Sequence, residues 1–234
     1  MKMPGMRARL VRGARRLGVL RLAALLLVIT IAGVAVWRLD RPRPADLSDD
    51  GGDVVRVGVA QGASIPAYVE ASRAELATLP DREMYALVTL RGYLPPGRLA
   101  PVFAGVALDV VIARVPIPGE QTEIVRIPAN QVPVDVIRGM EQVAARKDGY
   151  ARSGDALARA EASGYREHCS CVYAAVIRAT PGVLAQVAKR DEVRVVDAAP
   201  EVGRIDQAVF LPPLPEQSDQ ARPPDTASPS GRAR

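Results

Sequence analysis

The longest apolar run in the chain lies near its start. From Leu22 to Trp37 every residue is apolar or small except Thr30. With the three preceding residues the run reaches 19, close to the ~20 residues that a helix needs to cross ~30 Å of hydrocarbon. This pattern predicts a transmembrane helix over residues 19–37.

The residues that flank this run predict how it would be held in a bilayer. Arg15, Arg16 and Arg21 can extend to the headgroups, and Trp37 falls where an interfacial aromatic side chain would lie. Residues 1–37 carry seven cations and no acid, so the positive-inside rule places residues 1–18 in the cytoplasm. We therefore expect a single-pass protein of the cell membrane, with its N-terminus cytoplasmic and its C-terminal domain extracytoplasmic.

Two other interpretations of the apolar run stay open. A cleaved secretory signal also combines a basic start, an apolar stretch and small residues such as Gly33 and Ala35. A buried core helix is disfavoured by the dense flanking charge and by the proline-rich linker expected over residues 38–53. The membrane helix and the cleaved signal both place the rest of the chain outside the cytoplasm.

Residues 54–210 alternate between strand-like and helix-like patterns, as an α/β domain would. The apolar runs predict strands over 54–60, 84–92, 108–115, 123–127, 169–178 and 193–197. Helical spacing predicts helices over 65–79, 97–105, 132–167 and 181–190, the third of them broken near Gly149 to Gly154.

The stretches that begin at Tyr85 and Tyr173 share one order: strand, Pro-Gly, amphipathic helix, valine-rich strand. This indicates a duplication with repeats over 54–117 and 123–200. The predicted fold class is therefore α/β (α+β), an N-terminal transmembrane helix followed by a ferredoxin-like or duplicated βαβαβ sandwich.

Residues 211–234 contain six prolines among polar residues, which predicts a disordered or polyproline-like tail. A recognition peptide over residues 210–215 is the sharper alternative.

Several segments resemble predicted single-pass membrane proteins of high-GC Gram-positive bacteria that have no assigned function. They are the arginine-rich start with its apolar run, IPAYVEASRAELATLP, CVYAAVIRATPGVLAQV and VFLPPLPEQ. The resemblance covers most of the chain and implies localisation but no activity.

The net charge of +5 does not indicate a nucleic-acid partner. The seven cations of residues 1–37 account for it, because the other 24 cations stand against all 26 acids. A folded part with a formal charge of −2 and few aromatic residues lacks the basic, stacking surface that binds nucleic acid.

Candidate chemistry is concentrated in one run, His168-Cys169-Ser170-Cys171, which holds the single histidine and both cysteines. No motif for nucleotide binding, metalloprotease chemistry or a serine nucleophile is present. On an extended strand the two cysteines face away from His168, so one metal ion could not collect all three side chains. We expect no catalytic residues, no metal and no cofactor.

An exported chain with two cysteines can form a disulfide between Cys169 and Cys171. This bridge is geometrically tight and needs an irregular strand. Buried free thiols, an interchain bridge, and redox or metal chemistry remain alternatives.

The expected function is a membrane-anchored extracytoplasmic binding or structural module of the cell envelope, non-catalytic, with the lipid bilayer and an envelope protein as partners. Two alternatives remain. Residues 176–202 resemble in outline the end of subtilisin-type propeptide inhibitors, which would make the domain a protease-directed module. The other alternative is an enzyme of unrecognised type.

Overall fold

The computed structural model describes residues 54–222. The predicted basic end, membrane helix and linker lie outside the described residues. So do Arg15, Arg16, Arg21 and Trp37, and residues 223–234 of the predicted tail.

The described chain contains seven strands and five α-helices, the latter supplemented by two short 3₁₀ turns. In chain order they are β1 (Val55–Gly58), α1 (Ile65–Leu76), β2 (Met84–Leu94), α2 (Leu99–Val102), β3 (Ala107–Ala113), β4 (Val125–Pro128), α3 (Val134–Ala151), α4 (Ala156–Arg166), β5 (Val172–Ala179), α5 (Pro181–Val187), β6 (Val193–Ala199) and β7 (Ala208–Leu211).

Five strands form one antiparallel sheet in the order β4-β3-β5-β2-β6. The two β-α-β segments interleave in it, because β2 lies between β5 and β6 while β5 lies between β3 and β2. β5 is buried along almost its whole length and β2 over most of its first seven residues, as expected of strands that are covered on both faces.

The two faces of this sheet are covered by different layers. The helical face packs against α2, α3 and α5 through residues such as Leu99, Met140 and Leu184. The opposite face, called here the ribbon face, packs against a parallel pair of strands, β1 and β7, through Val57 and Phe210. Two of the helices begin at residues whose side chains cap them. Ser64 caps α1 by accepting a hydrogen bond from the Ala67 amide, and Asp155 caps α4 in the same way at Ala158.

The predicted fold class, with its ferredoxin-like or duplicated βαβαβ sandwich, is wrong for residues 54–222. The described domain is α+β with a five-stranded antiparallel sheet, and β1, assigned to the first repeat, leaves the main sheet to pair with β7. The stretch 132–167 is a pair of contacting helices, α3 and α4, separated near Gly149 to Gly154 as predicted, because the chain turns at Gly154, whose φ is +100°.

The membrane assignment is corrected in the same way for the described part of the chain. Across residues 54–222, no helix combines the length and the apolar character that crossing a bilayer requires.

Residues 212–222, called here the strap, follow β7 and pack against the domain. Leu214 and Ala221 are buried, and the backbone of residues 219–221 is hydrogen-bonded to residues 62–65. The predicted disordered tail therefore does not begin at residue 211.

Candidate functional site

Three adjacent strands bring an arginine and two tyrosines together at one end of the ribbon face. Arg114 directly follows β3 and points to the same face as Ile112, since side chains alternate along a strand. Tyr173 of β5 and Tyr93 of β2 face the same way, with their ring centroids 5.8 Å apart in an edge-on arrangement. These three residues and Glu216 of the strap are called the Arg114 centre.

Arg114 is a buried cation, because its side chain is only 2% exposed. Its Nε donates to the hydroxyl of Thr122 at 3.0 Å, and Nη2 donates to the carbonyl of Glu120 at 3.4 Å. Thr122 is itself fixed, because its hydroxyl donates to the carbonyl of Val115 at 2.6 Å. The guanidinium is thus held in one orientation by groups that carry no charge.

The charge of Arg114 is balanced by a carboxylate that enters from the strap. Nη1 of Arg114 lies 3.3 Å from Oε1 of Glu216, and the hydroxyl of Tyr93 donates to Oε2 at 2.9 Å. The Glu216 side chain is 50% exposed, so a buried cation faces an anion that is half in water. Such a pair differs from a fully enclosed ion pair because solvent reaches one partner.

The hydroxyl of Tyr173 is buried and has no hydrogen-bond partner among the described residues. A buried hydroxyl without a partner costs free energy and calls for an explanation. Tyr173 sits beside Tyr93 and close enough to Arg114 and Glu216 for their charges to affect its titration. The Tyr173 hydroxyl can therefore donate a hydrogen bond to a group that enters the Arg114 centre.

Both phenols stay protonated at neutral pH. Burial raises the pKa of Tyr93, and the carboxylate of Glu216 raises it further against the opposing effect of Arg114. Burial likewise raises the pKa of Tyr173, while Arg114 lowers it and Glu216 raises it. The centre thus presents one fixed positive charge and two neutral hydroxyl donors, which suits the recognition of a carboxylate.

The predicted cysteine pair lies next to this centre along the chain. Cys169 and Cys171 are joined as a disulfide, with their Cα atoms 5.3 Å apart. Cys169 is half-buried and Cys171 fully buried. The carbonyl of Cys171 accepts a hydrogen bond from the amide of Arg114 at 3.0 Å, so the bridge fixes the start of β5 beside Arg114, while the Cys171 side chain packs on the helical face.

The bridge should add little to global stability. It closes a loop of three residues, and the chain-entropy relation gives such a loop about 1.6 kcal/mol at most. Cys169→Ser should lower the free energy of unfolding by no more than this. Protein acid-quenched directly from cells should resist alkylation unless it is first reduced; two alkylated thiols without reduction, or a reducible dimer, would contradict the intrachain bridge.

The remaining histidine does not join the Arg114 centre. His168 lies at the surface, with Nε2 3.8 Å from Oε1 of Glu141, and its backbone φ is +52°. Across residues 54–222, no group of three or more metal-ligating side chains is placed to hold an ion.

Away from the Arg114 centre, a polar cavity of about 260 Å³ lies between β1, α1 and β6. There the hydroxyl of Tyr68 donates to Asp197 at 2.9 Å. Burial raises the pKa of Asp197, and the hydrogen bond from Tyr68 opposes this. Because Tyr68 and Asp197 satisfy each other, whereas the hydroxyl of Tyr173 has no partner among the described residues, this cavity gives less indication of a ligand than the Arg114 centre does.

Reasoning from the sequence found the cysteines but missed the Arg114 centre. The sequence contains part of the signal for this centre. Arg114 falls on the same face as Ile112 in a β-branched run, and an arginine there is unusual for a covered strand. No family model matches this chain, and neither the curated proteins nor the solved structures contain a significant match to it.

Proposed function

We propose that this domain is a non-catalytic binding module of the cell envelope that acts outside the cytoplasm and recognises a carboxylate at the Arg114 centre. The observation that carries this proposal is the pairing of a 2% exposed guanidinium with a 50% exposed carboxylate. The cation belongs to the sheet, whereas the anion belongs to a segment at the surface, so another carboxylate of the same geometry can take its place.

The character of the donors supports binding as the role of this centre. A guanidinium has N–H donors and no acceptor, and the two phenols have pKa values raised by burial. These three groups donate hydrogen bonds without exchanging protons. They therefore orient an anion by charge and geometry.

A location outside the cytoplasm is supported by two independent features. The Cys169–Cys171 disulfide is typical of chains that fold in an oxidising compartment. The charge asymmetry of residues 1–37 favours export of the domain that begins after them. The proposed partner is another protein of the envelope that carries an accessible carboxylate.

No contact in the described residues favours the protease-inhibitor alternative. That role needs the chain after Val202 to enter a protease cleft. Val202 is buried, and the next strand, β7, is paired with β1 through four residues.

Chemical rescue tests the carboxylate site in the full chain. Glu216→Ala should lower the free energy of unfolding by about 1–3 kcal/mol, because it leaves a buried cation without its charged partner. Acetate should recover part of this loss, about 1.4 kcal/mol at ten times its Kd, relative to chloride at the same ionic strength. The measurement is thermal unfolding across an acetate titration.

Glu70→Ala is the matched control, since Glu70 is exposed on α1 and far along the chain from the strap. Its unfolding should respond equally to acetate and chloride. Equal responses of the Glu216→Ala variant to the two salts would refute a carboxylate site at Arg114.

A further inference from the structure

The strap makes its contacts without a sheet ladder, and its centre is a turn in which the amide of Gln217 donates to the carbonyl of Leu214 at 3.1 Å. Pro215 follows Leu214 at the turn position that proline favours, and Pro212, Pro213 and Pro215 provide no N–H. Residues 212–217 therefore contact the domain through side chains and backbone carbonyls.

Three points of the domain hold residues 212–217 of the strap. Leu214 is 3% exposed and packs in the apolar cluster that contains Val57, Tyr173 and Phe210. Two residues later, Glu216 lies on Arg114 and Tyr93. Leu214 thus fills an apolar site, and Glu216, two residues later, fills the carboxylate site beside it.

The third point is Arg194 of β6, which contacts the backbone of the strap. Its Nη1 donates to the carbonyl of Leu214 at 3.3 Å, and its Nη2 donates to the carbonyl of Gln217 at 2.7 Å. Within residues 54–222, no carboxylate forms a salt bridge with Arg194. Arg194 therefore binds both ends of the turn through main-chain carbonyls, whatever side chains the turn carries.

The ribbon face thus has the parts of a peptide-binding surface: an apolar pocket, a carboxylate site two residues further on, and an arginine for the backbone. Peptide recognition commonly combines main-chain hydrogen bonds with pockets for alternate side chains. The strap fills all three parts.

Resting on the proposed function, we infer that the external ligand is a segment of a partner protein that forms the same turn as Leu214 to Gln217, with a leucine or similar apolar residue two positions before a glutamate or aspartate. Residues 212–217 occupy its place intramolecularly. The strap is a tethered competitor, and the partner binds when its own acidic segment replaces it.

Tethering sets how strongly the strap competes. A segment linked through a short chain acts at an effective concentration of the order of millimolar. The apparent Kd of an external segment is its intrinsic Kd divided by the fraction of molecules whose site is open. Weakening the strap should therefore raise the apparent affinity.

A fluorescent peptide with the sequence of residues 210–217 and blocked ends tests this inference by anisotropy. It should bind the full chain carrying Leu214→Ala and Glu216→Ala at least tenfold more tightly than the wild type. The same peptide with glutamine in place of its glutamate should lose at least tenfold in affinity for that variant. Glu70→Ala should bind the peptide as the wild type does.

Glu216→Gln provides a second variant in case the double substitution prevents folding. It keeps the shape of the strap and removes only its charge, so peptide affinity should rise at least threefold. If neither variant binds the peptide more tightly than the wild type, the inference is overturned. Should acetate still rescue Glu216→Ala, the carboxylate site survives and only the peptide ligand is rejected; loss of both results rejects the proposed function as well.

Discussion

Glu161→Ala should lower the free energy of unfolding by about 3 kcal/mol, since removing one member of a buried ion pair leaves an incompletely compensated charge. Glu161 of α4 and Lys147 of α3 are 3% and 8% exposed, with Oε2 and Nζ 2.6 Å apart. Glu161 also accepts the amide of Glu123 at 2.8 Å. Urea denaturation of the full chain measures the loss.

The loss of unfolding free energy in Glu161→Ala should stay near the lower end of the ~3–5 kcal/mol that breaking a buried ion pair costs. Lys147 keeps a contact of 2.8 Å with Glu123, whose side chain is 45% exposed. Glu167→Ala at the exposed end of α4 is the control and should change stability by less than about 0.5 kcal/mol. The double variant Lys147→Met, Glu161→Leu should cost less than Glu161→Ala alone. A loss below about 1 kcal/mol for Glu161→Ala would contradict the assignment.

The pH dependence of the same measurement has a defined sign. Burial alone would lower the pKa of Lys147, but hydrogen bonds to Glu123 and Glu161 raise it. Burial alone would raise the pKa of Glu123, but Lys147 and Arg146 lower it. The contribution of Lys147 is therefore lost only as the pH rises above ~10.4, and that of Glu123 only as the pH falls below ~4.3.

Local sequence patterns were sufficient to find most elements. The strand predicted at 84–92 is β2, and the helix predicted at 181–190 is α5 with three further residues. Their signals are local, since apolar alternation and a proline in the first turn depend on neighbouring residues only.

The arrangement of the elements could not be predicted in the same way. The run 54–60 has the composition of a central strand, yet β1 pairs with β7, about 150 residues further along the chain. Strand pairing at that separation depends on which faces remain uncovered after the sheet has formed, and no local window contains this information. The break predicted near Gly149 to Gly154 within 132–167 is confirmed, because one helix ends at Ala151 and the next begins at Ala156; glycine in a helical pattern is a local signal for such a turn.

In the candidate site, too, only the residues that are neighbours in the sequence could be predicted. The cysteines are adjacent and so were visible, whereas Arg114 and Glu216 are 102 residues apart. The prolines of residues 212–215 are typical of disordered tails, and nothing in the sequence reveals that Leu214 between them is buried. A proline-rich segment followed by a carboxylate can therefore be either disordered or packed, and only the position of a buried cation in the structure distinguishes the two.

Gly58→Ala should lower the free energy of unfolding by about 3 kcal/mol or more and should also release the strap. Gly58 has φ +117°, and a Cβ atom there would lie 2.3 Å from the carbonyl oxygen of Leu211. Strain at such a φ costs about 1–3 kcal/mol, and the overlap costs a similar amount because a backbone atom cannot rotate away. The same oxygen accepts the amide of Val59 at 3.0 Å, so relieving the overlap separates β1 from β7.

Gly105→Ala separates these two causes. Gly105 also has a positive φ, +79°, but no atom lies within 4 Å of its Cβ position, so only about 1–2 kcal/mol should be lost. Because the strap continues directly from β7, Gly58→Ala should also raise the affinity of the peptide of residues 210–217, whereas Gly105→Ala should leave it within twofold of the wild type. Equal losses of stability and equal peptide affinities in the two variants would show that the Gly58 contact with Leu211 does not hold the strap in place.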